Sequence, residues 1–479
     1  MTETTTYEPV IGLEIHVQLS TRTKMFCGCA LSFGEEPNTR TCPVCLGLPG
    51  TLPVANAEAI HYGLMVGLAL GCELAPRSIF HRKNYFYPDL SKGYQISQYD
   101  EPLCRGGHLG DVRIHRVHLE EDAAKLVHAG SSGRIHGSAA SVVDFNRGGT
   151  PLAEIVTEPD LSSAEQAGEF LRLLRTTLRQ LGVSDVNMEE GSLRCDANIS
   201  IRPTGSTGLG VKTELKNMNS FRFIEKGIRA EVARQEAILR AGGTVVQETL
   251  HFDPRTEAIT SLRSKEEAHD YRYFPEPDLT PVRITQEMLD RAAAALPELP
   301  AARAERYERD LGLATDTARL LAFRAELGSY FEAALAADGA EAQPLANWVT
   351  NELVSRLGTD ADPAESKVRP AALAELVGLV TERKVSQKAA KQVLDRLVAD
   401  GGEPGAIVEA EGLGAMGGGD DALTPVVQAA LAANPDIAGR LRGGDMKPMG
   451  VIIGHVMRET KGRADGKDVT RIVREQLGL

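Results

Sequence analysis

The spacing of apolar residues changes at Pro297-Glu298-Leu299-Pro300, and this change constrains the fold of the 479-residue chain more than any other feature. Upstream, apolar and polar residues alternate over short segments, which is typical of half-buried strands, and two stretches have helical spacing. The alternating segments are 11–19, 195–202 and 211–216, and the helical stretches are 163–181 and 223–239. Downstream, residues 301–400 have helical spacing throughout. The pattern predicts an α+β protein in which a large antiparallel-sheet domain precedes helices.

Glycine and proline divide the helical part again. Gly401-Gly402-Glu403-Pro404-Gly405 is a strong helix breaker. We therefore predict three domains: a sheet domain at 1–296, an all-helical domain at 297–405 and a small helical tail at 406–479.

The charge is distributed unevenly. The whole chain has 53 Lys and Arg and 66 Asp and Glu, a net charge of −13. This negative charge argues against a protein that coats nucleic acid by non-specific binding. Residues 440–479 instead hold nine basic and five acidic residues, so 9 − 5 = +4. The basic residues are Arg440, Arg442, Lys447, Arg458, Lys461, Arg463, Lys467, Arg471 and Arg474. This tail is a candidate surface for RNA phosphates.

The N-terminus resembles no targeting signal. Residues 1–8 lack a basic region followed by an apolar one, and the most apolar stretch, 63–72, is too short to span a bilayer. We expect a cytoplasmic protein.

Four of the seven cysteines form two close pairs. Twelve residues separate the pair Cys27 and Cys29 from the pair Cys42 and Cys45. This spacing suits tetrahedral thiolate coordination of a structural Zn²⁺, and the alternative is four reduced core cysteines. Cys72, Cys104 and Cys195 are expected to be small buried residues.

Two polar motifs could hold a divalent cation or transfer a proton. Glu14 and His16 lie two apart on a predicted strand and therefore share a face. His118-Leu119-Glu120-Glu121-Asp122 concentrates three carboxylates, which repel one another unless a cation neutralises them. The alternatives are an exposed polar strand face and a solvated acidic turn.

The sequence contains no P-loop and no G-x-G-x-x-G motif at a strand-to-helix turn. Segments 82–89 and 91–95 mix cations with aromatic residues, so Lys83, Asn84 and Lys92 are candidate nucleotide-binding residues. An aromatic turn packed on the sheet explains these segments equally well. The residues alone do not identify the reaction.

Several long segments in the same order resemble the B subunits of bacterial aspartyl/glutamyl-tRNA amidotransferases. They are 10–17, 82–89, 119–123, 144–152, 188–198, 214–220 and 270–278. Residues 447–457 resemble the YqeY-type tail of the same family, so the resemblance covers essentially the whole chain.

The resemblance implies the ATP-dependent part of a three-subunit ligase, with a cradle-shaped catalytic domain. Such a chain binds mischarged Glu-tRNA(Gln) or Asp-tRNA(Asn) and phosphorylates the side-chain carboxylate, using ATP and Mg²⁺. The amidase partner of the complex releases ammonia from glutamine, and a small third partner joins the amidase to the ATP-dependent chain. The acceptor end of the tRNA would lie in the catalytic domain, and its outer part on the helical and tail domains.

The resemblance also assigns residues. The Mg²⁺ and reaction centre would comprise Glu14, His16, Glu120 and Glu121. Further candidates for the ATP cleft are Arg194, Asp196, Lys212, Glu214 and Lys216. Some family members lack the cysteines, which favours a structural role for zinc. Open alternatives are a non-catalytic tRNA-binding scaffold and a stand-alone ATP-dependent amide ligase, and the sequence does not choose between the two tRNA substrates.

Overall fold

The computed structural model describes residues 5–31, 33–129, 140–264, 271–337, 340–358, 361–414, 419–460, 463–464 and 466–479. Lys461, one of the basic tail residues, lies outside these ranges. The chain forms two compact units, residues 1–299 and 300–479.

In its described residues, the first unit contains strands β1 to β17 and four α-helices. Its strands are β1 (Tyr7–Gln18), β2 (Glu73–Leu74), β3 (Arg77–Ser78), β4 (His81–Asn84), β5 (Tyr94–Ser97), β6 (Cys104–Arg105), β7 (His108–Leu109), β8 (Val112–Glu121), β9 (Lys125–Ala129), β10 (Ala140–Asp144), β11 (Pro151–Thr157), β12 (Leu193–Pro203), β13 (Thr213–Met218), β14 (Glu248–Asp253), β15 (Ala258–Ser264), β16 (Phe274–Pro275) and β17 (Val282–Arg283). Its helices are α1 (Ala57–Ala69), α2 (Ala164–Gln180), α3 (Phe221–Arg240) and α4 (Gln286–Ala294).

A ten-stranded sheet organises this unit. Its strand order is β15-β14-β13-β12-β1-β11-β8-β6-β2, and β7 also pairs with β8. The prediction of a sheet-rich α+β domain is confirmed. One detail differs, because β13 and β14 run parallel while their neighbours are antiparallel. The helix α3 joins these two strands, and a helical crossover is the connection that parallel strands need.

The strand β1 lies in the middle of the sheet and pairs with β12 on one side and β11 on the other. Ile11, Leu13, Ile15 and Val17 are fully buried, whereas the alternate residues are only partly so. The predicted alternation is therefore observed. One face of β1 belongs to the apolar core, and the other presents polar side chains.

The longer helices begin where the sequence offers caps. The Ser163 hydroxyl accepts a hydrogen bond from the backbone N–H of Gln166, and Ser220 caps α3 through the N–H of Phe223. Such caps satisfy N–H groups that have no partner within the helix. The helices predicted at 163–181 and 223–239 are confirmed as α2 and α3.

The described part of the second unit is helical. Its α-helices are α5 (Pro300–Leu311), α6 (Thr315–Phe323), α7 (Ala325–Leu335), α8 (Ala342–Asn347), α9 (Val354–Leu357), α10 (Pro370–Thr381), α11 (Gln387–Asp400), α12 (Pro404–Glu411), α13 (Gly419–Ala433), α14 (Pro435–Arg442), α15 (Met449–Glu459) and α16 (Gly466–Leu477). Trp348–Leu353 forms a π-helical turn and Pro363–Glu365 a 3₁₀ turn.

Two clusters of buried apolar residues lie in this unit, one within 304–413 and one within 423–473. The predicted division near residue 405 stays a prediction, although the separate clusters are compatible with it. Within the described residues, no helix has the length and apolarity needed to cross a bilayer.

Candidate active site

Strand register gathers ionisable side chains on the polar face of β1. His16 pairs with Glu154 on β11 and with Arg194 on β12, and Glu154 pairs in turn with His118 on β8. Arg194, His16, Glu154 and His118 thus form one row across four strands. Residues two apart on a strand share a face, so Glu120 lies beside this row.

The row contains a compact group of possible metal ligands. The Nε2 atom of His16 lies 3.4 Å from a carboxylate oxygen of Glu154 and 3.5 Å from one of Glu120. Both glutamates are almost completely buried. One ligand atom from each of these three residues lies within 4.8 Å of the others. We call them the His–Glu–Glu triad.

Glu14 and Asp196 extend the site along the sheet. They are cross-strand partners, and together with His16 they form a second group whose ligand atoms lie within 4.8 Å of one another. Lys216 donates a hydrogen bond to Asp196 and lies 3.4 Å from Glu214. Lys216 therefore places a cation beside this second group.

The charges in this row depend on one another. Burial lowers the pKa of His16, but its hydrogen bond with Glu154 and the charges of Glu154, Glu120 and Glu14 outweigh burial and raise the pKa to about 9. Burial and the charge of Glu154 raise the pKa of Glu14. Crowded carboxylates of this kind require a cation nearby.

Lys83 supplies another cation to the site. Its Nζ atom lies over the Tyr271 ring, 5.0 Å from the ring centre. Although burial lowers the pKa of Lys83, the charges of Tyr273, Glu120 and Glu154 outweigh it and raise that pKa. Five of the predicted nucleotide-binding residues therefore cluster on or beside this face: Lys83, Arg194, Asp196, Glu214 and Lys216.

Glu121, a predicted site residue, lies apart from the His–Glu–Glu triad. As the neighbour of Glu120 on a strand, it points to the other face. Its carboxylate accepts hydrogen bonds from the Lys92 ammonium and from the backbone N–H of Ile96. Glu121 and Lys92 line a separate cavity of about 170 Å³, together with Cys27 and Cys45. Glu121 is thus not a ligand in either group around His16.

Two other residues that are predicted to bind the nucleotide also lie away from the ligand atoms of the triad. The side-chain amide of Asn84 donates hydrogen bonds to the backbone carbonyls of Tyr271 and Arg272, so it holds a loop in place. Lys212 is exposed and lies just before β13. That Asn84 and Lys212 contact the nucleotide stays a prediction.

The four paired cysteines converge as the spacing predicts. The ligand atoms of Cys27, Cys29, Cys42 and Cys45 lie within 4.8 Å of one another. The Lys24 ammonium lies 3.8 Å from the Cys45 sulfur, and a hydrogen bond from Cys27 lowers the pKa of Cys45 to about 4. The donor set fits tetrahedral Zn²⁺.

Glu154 is a site residue that the sequence patterns did not reveal. Glu154 is the single charged residue in an otherwise apolar strand, Pro151–Thr157, and that isolation is the signal that could have revealed it. A carboxylate is seldom buried in such a strand without a partner or a ligand. His118 belongs to the acidic run, but the run by itself gives this histidine no separate role.

Family profiles match residues in both units of the chain. A family profile described as the GatB/GatE catalytic domain matches residues 9–290, and one described as the GatB domain matches residues 329–477. The first defines the class, a catalytic domain built on the sheet unit. The second begins well before the tail predicted at 406.

The relatives are similar over their whole length. The B subunit of the aspartyl/glutamyl-tRNA(Asn/Gln) amidotransferase of Anaeromyxobacter sp. (strain K) is 50% identical over 98% of this chain and 99% of its own. The proteins of the same name from Persephonella marina and Thermobifida fusca are 47% and 48% identical, over 98% and 99% of this chain and 99% and 94% of theirs. The chain belongs to the family of aspartyl/glutamyl-tRNA(Asn/Gln) amidotransferase B subunits.

Proposed function

We propose that this chain activates the side-chain carboxylate of a mischarged tRNA by phosphoryl transfer from ATP and then directs its conversion to the amide. The observation that carries the proposal is the convergence of the His–Glu–Glu triad, with Lys83 and Lys216 nearby, on one polar sheet face. Family membership supports the same conclusion.

The chemistry requires positioned charge more than a protein nucleophile. A carboxylate is a poor acyl donor until phosphorylation turns one of its oxygens into a leaving group. His16, Glu120 and Glu154 would hold Mg²⁺, which would neutralise charge on the phosphate oxygens. Lys83 and Lys216 lie where they can stabilise further negative charge. His118 orients Glu154, since its Nε2 atom lies 3.2 Å from that carboxylate.

The assembly follows from the same proposal. Ammonia would come from glutamine through an amidase partner, and a small third partner would join the amidase to this chain in the cytoplasm. The acceptor end of Glu-tRNA(Gln), Asp-tRNA(Asn) or both would enter the sheet unit, and the outer part of the tRNA would contact the helical unit. The cysteine quartet would hold Zn²⁺ as a structural element away from the chemical step.

The test is a reconstitution with the Glu120→Gln variant. With the amidase and the small third partner present, the wild type should convert mischarged tRNA to its amide only when ATP and glutamine are supplied. The variant should lose about 10³-fold in rate, because it keeps the side-chain volume but removes a charge from the triad. The variant should still bind mischarged tRNA.

A matched control is Glu158→Gln, whose wild-type carboxylate pairs with the half-exposed His115 at the end of the same strand pair. This variant should keep full activity. Amide formation from free ammonia by the chain alone would favour a stand-alone ligase. Tight tRNA binding with no ATP-dependent step in the full assembly would favour a scaffold.

A further inference from the structure

Asp122, a residue outside the triad, holds two arginines at the edge of the polar face. Its carboxylate is 5% exposed and accepts a 2.9 Å hydrogen bond from Arg194. The Nε atom of Arg147 lies 3.6 Å from the same oxygen, and Gln18 donates to it at 3.0 Å. Burial raises the pKa of Asp122, but the charges of Arg194 and Arg147 outweigh burial and lower that pKa.

Each arginine is fixed on one side and open on the other. Arg147 donates from Nε and from its terminal nitrogen to the backbone carbonyls of Ala123 and Ala124, both at 2.9 Å. The side chains of Arg147 and Arg194 are nevertheless 36% and 35% exposed. Two guanidinium groups fixed on one carboxylate carry a net charge of +1 and face solvent.

The loop that carries Arg147 is itself held. The buried Lys24 donates to the carbonyl of Phe145 at 2.9 Å, and the backbone N–H of Arg40 donates to the Asn146 side chain at 2.8 Å. The hydroxyl of Thr150 donates to the carbonyl of Arg147 at 2.6 Å. Arg147 therefore projects from a fixed backbone, as a recognition residue must.

We propose that Asp122 is a positioning residue that arranges Arg147 and Arg194 as a clamp for a phosphate oxyanion. Guanidinium groups bind phosphate oxygens through paired, charge-assisted hydrogen bonds. Arg194 lies in the same cross-strand row as His16 and Glu154, so the phosphate belongs to a nucleotide bound at the triad. This inference rests on the proposed function and adds a polyphosphate subsite to it.

The direct test measures binding of inorganic triphosphate, with Mg²⁺, to the full chain by calorimetry. Arg147→Ala and Asp122→Asn should each weaken binding about tenfold. The double variant should weaken it by much less than a hundredfold, because both changes disable one clamp. Asp160→Asn is the matched control, since Asp160 pairs with the exposed Arg113 elsewhere in the same unit and should leave binding unchanged.

Kinetics of the reconstituted enzyme distinguish positioning from folding. Asp122→Asn and Arg147→Ala should raise the KM for ATP about tenfold, with a smaller change in kcat and no change in the KM for charged tRNA. A rise in the KM for tRNA alone would assign the clamp to an RNA phosphate and overturn the nucleotide assignment. If Asp122→Asn does not fold, the Arg147→Ala variant alone tests the clamp, because the partly exposed Arg147 side chain can be removed without opening the core.

Unchanged triphosphate affinity in the folded Arg147→Ala protein would overturn the clamp, even if the wild type amidates tRNA. If Arg147→Ala loses triphosphate binding, the clamp is supported. If at the same time the wild-type protein forms no amide, the proposed function is overturned while the clamp stands. The two proposals can therefore fail separately.

Discussion

Two charge clusters, one in each unit, use similar groups in opposite ways. In the helical unit, Glu332 accepts hydrogen bonds from Arg303 at 2.7 Å, from Arg306 and from the Tyr307 hydroxyl at 2.9 Å. Burial raises the pKa of Glu332, but these donors outweigh it and lower the pKa to about 2. Permanent cations surround a single carboxylate there.

In the sheet unit the proportions are reversed. His16 lies within 4.0 Å of three carboxylates, those of Glu14, Glu120 and Glu154. An imidazole is cationic only when it is protonated, and it is also a good metal ligand. A stabilising cluster thus satisfies its charge within the chain, whereas a binding site keeps groups whose charge a ligand can balance.

The largest effect should come from removing one carboxylate of the triad. Glu154→Gln should lower the amidation rate of the reconstituted enzyme about 10³-fold, because it removes a metal-binding charge. The free energy of unfolding should also fall: burial raises the pKa of Glu154, but His118 and His16 outweigh burial and hold that pKa well below its ordinary value, and both lose this counter-charge in the variant. Rates and urea unfolding measure both quantities. A large stability loss with retained activity would contradict the contrast between the two clusters.

Substitution in the cysteine quartet tests whether a cluster in the sheet unit can contribute to stability and not to catalysis. Cys42→Ser should abolish zinc binding and lower the free energy of unfolding by about 3 kcal/mol, because metal binding contributes to folding. The rate per folded molecule should change much less. Elemental analysis and denaturant unfolding are the measurements, with Cys72→Ala as a control that keeps its zinc. Freshly purified wild type without zinc would contradict the assignment.

The helical cluster should affect stability alone. Glu332→Gln should lower the free energy of unfolding by about 1 kcal/mol, because Arg303, 7% exposed, loses its counter-charge, while solvent partly screens the Glu332 side chain, which is 36% exposed. Since the pKa of Glu332 is lower in the folded state, this contribution is complete above about pH 4.5 and disappears as the pH falls toward 2. Urea unfolding at pH 7 and pH 3 measures it. Equal losses at both pH values would show that the ion pairs are not the cause.

The smallest effect should come from the exposed charges of the tail. Deleting residues 419–479, which contain a separate apolar cluster, should weaken binding of mischarged tRNA about tenfold and reduce the salt dependence of that binding. Glutaminase activity of the assembly without tRNA should survive. Binding titrations at several salt concentrations provide the measurement, and unchanged affinity would contradict a tail contact with tRNA.

The sequence predicted half of the site because strand periodicity is local. Alternation in 11–19 is enough to place Glu14 and His16 on one face of β1. The family resemblance, and not periodicity, assigned Arg194 and Asp196 to the site. Cysteine spacing predicted the quartet because its members are near neighbours in the chain.

The other half depends on pairing between distant segments. His16 meets Glu154 only because β1 and β11 pair in one particular register, and the isolated charge in β11 does not show which strand will pair with it. The direction of Glu121 likewise depends on where β8 begins, since a shift of one residue would exchange it with Glu120. The parallel β13–β14 pair depends on the path of α3.

The central position of β1 has a consequence for how the protein is made. A ribosome completes β1 first, yet its partners are residues 151–157 and 193–203. At about 5–20 residues per second, roughly 10–40 s pass before both partners emerge. During that interval the nascent chain carries an apolar strand with two unpaired edges, the kind of segment that associates with other chains. We expect newly synthesised chains to need a chaperone until residue 203 has left the exit tunnel.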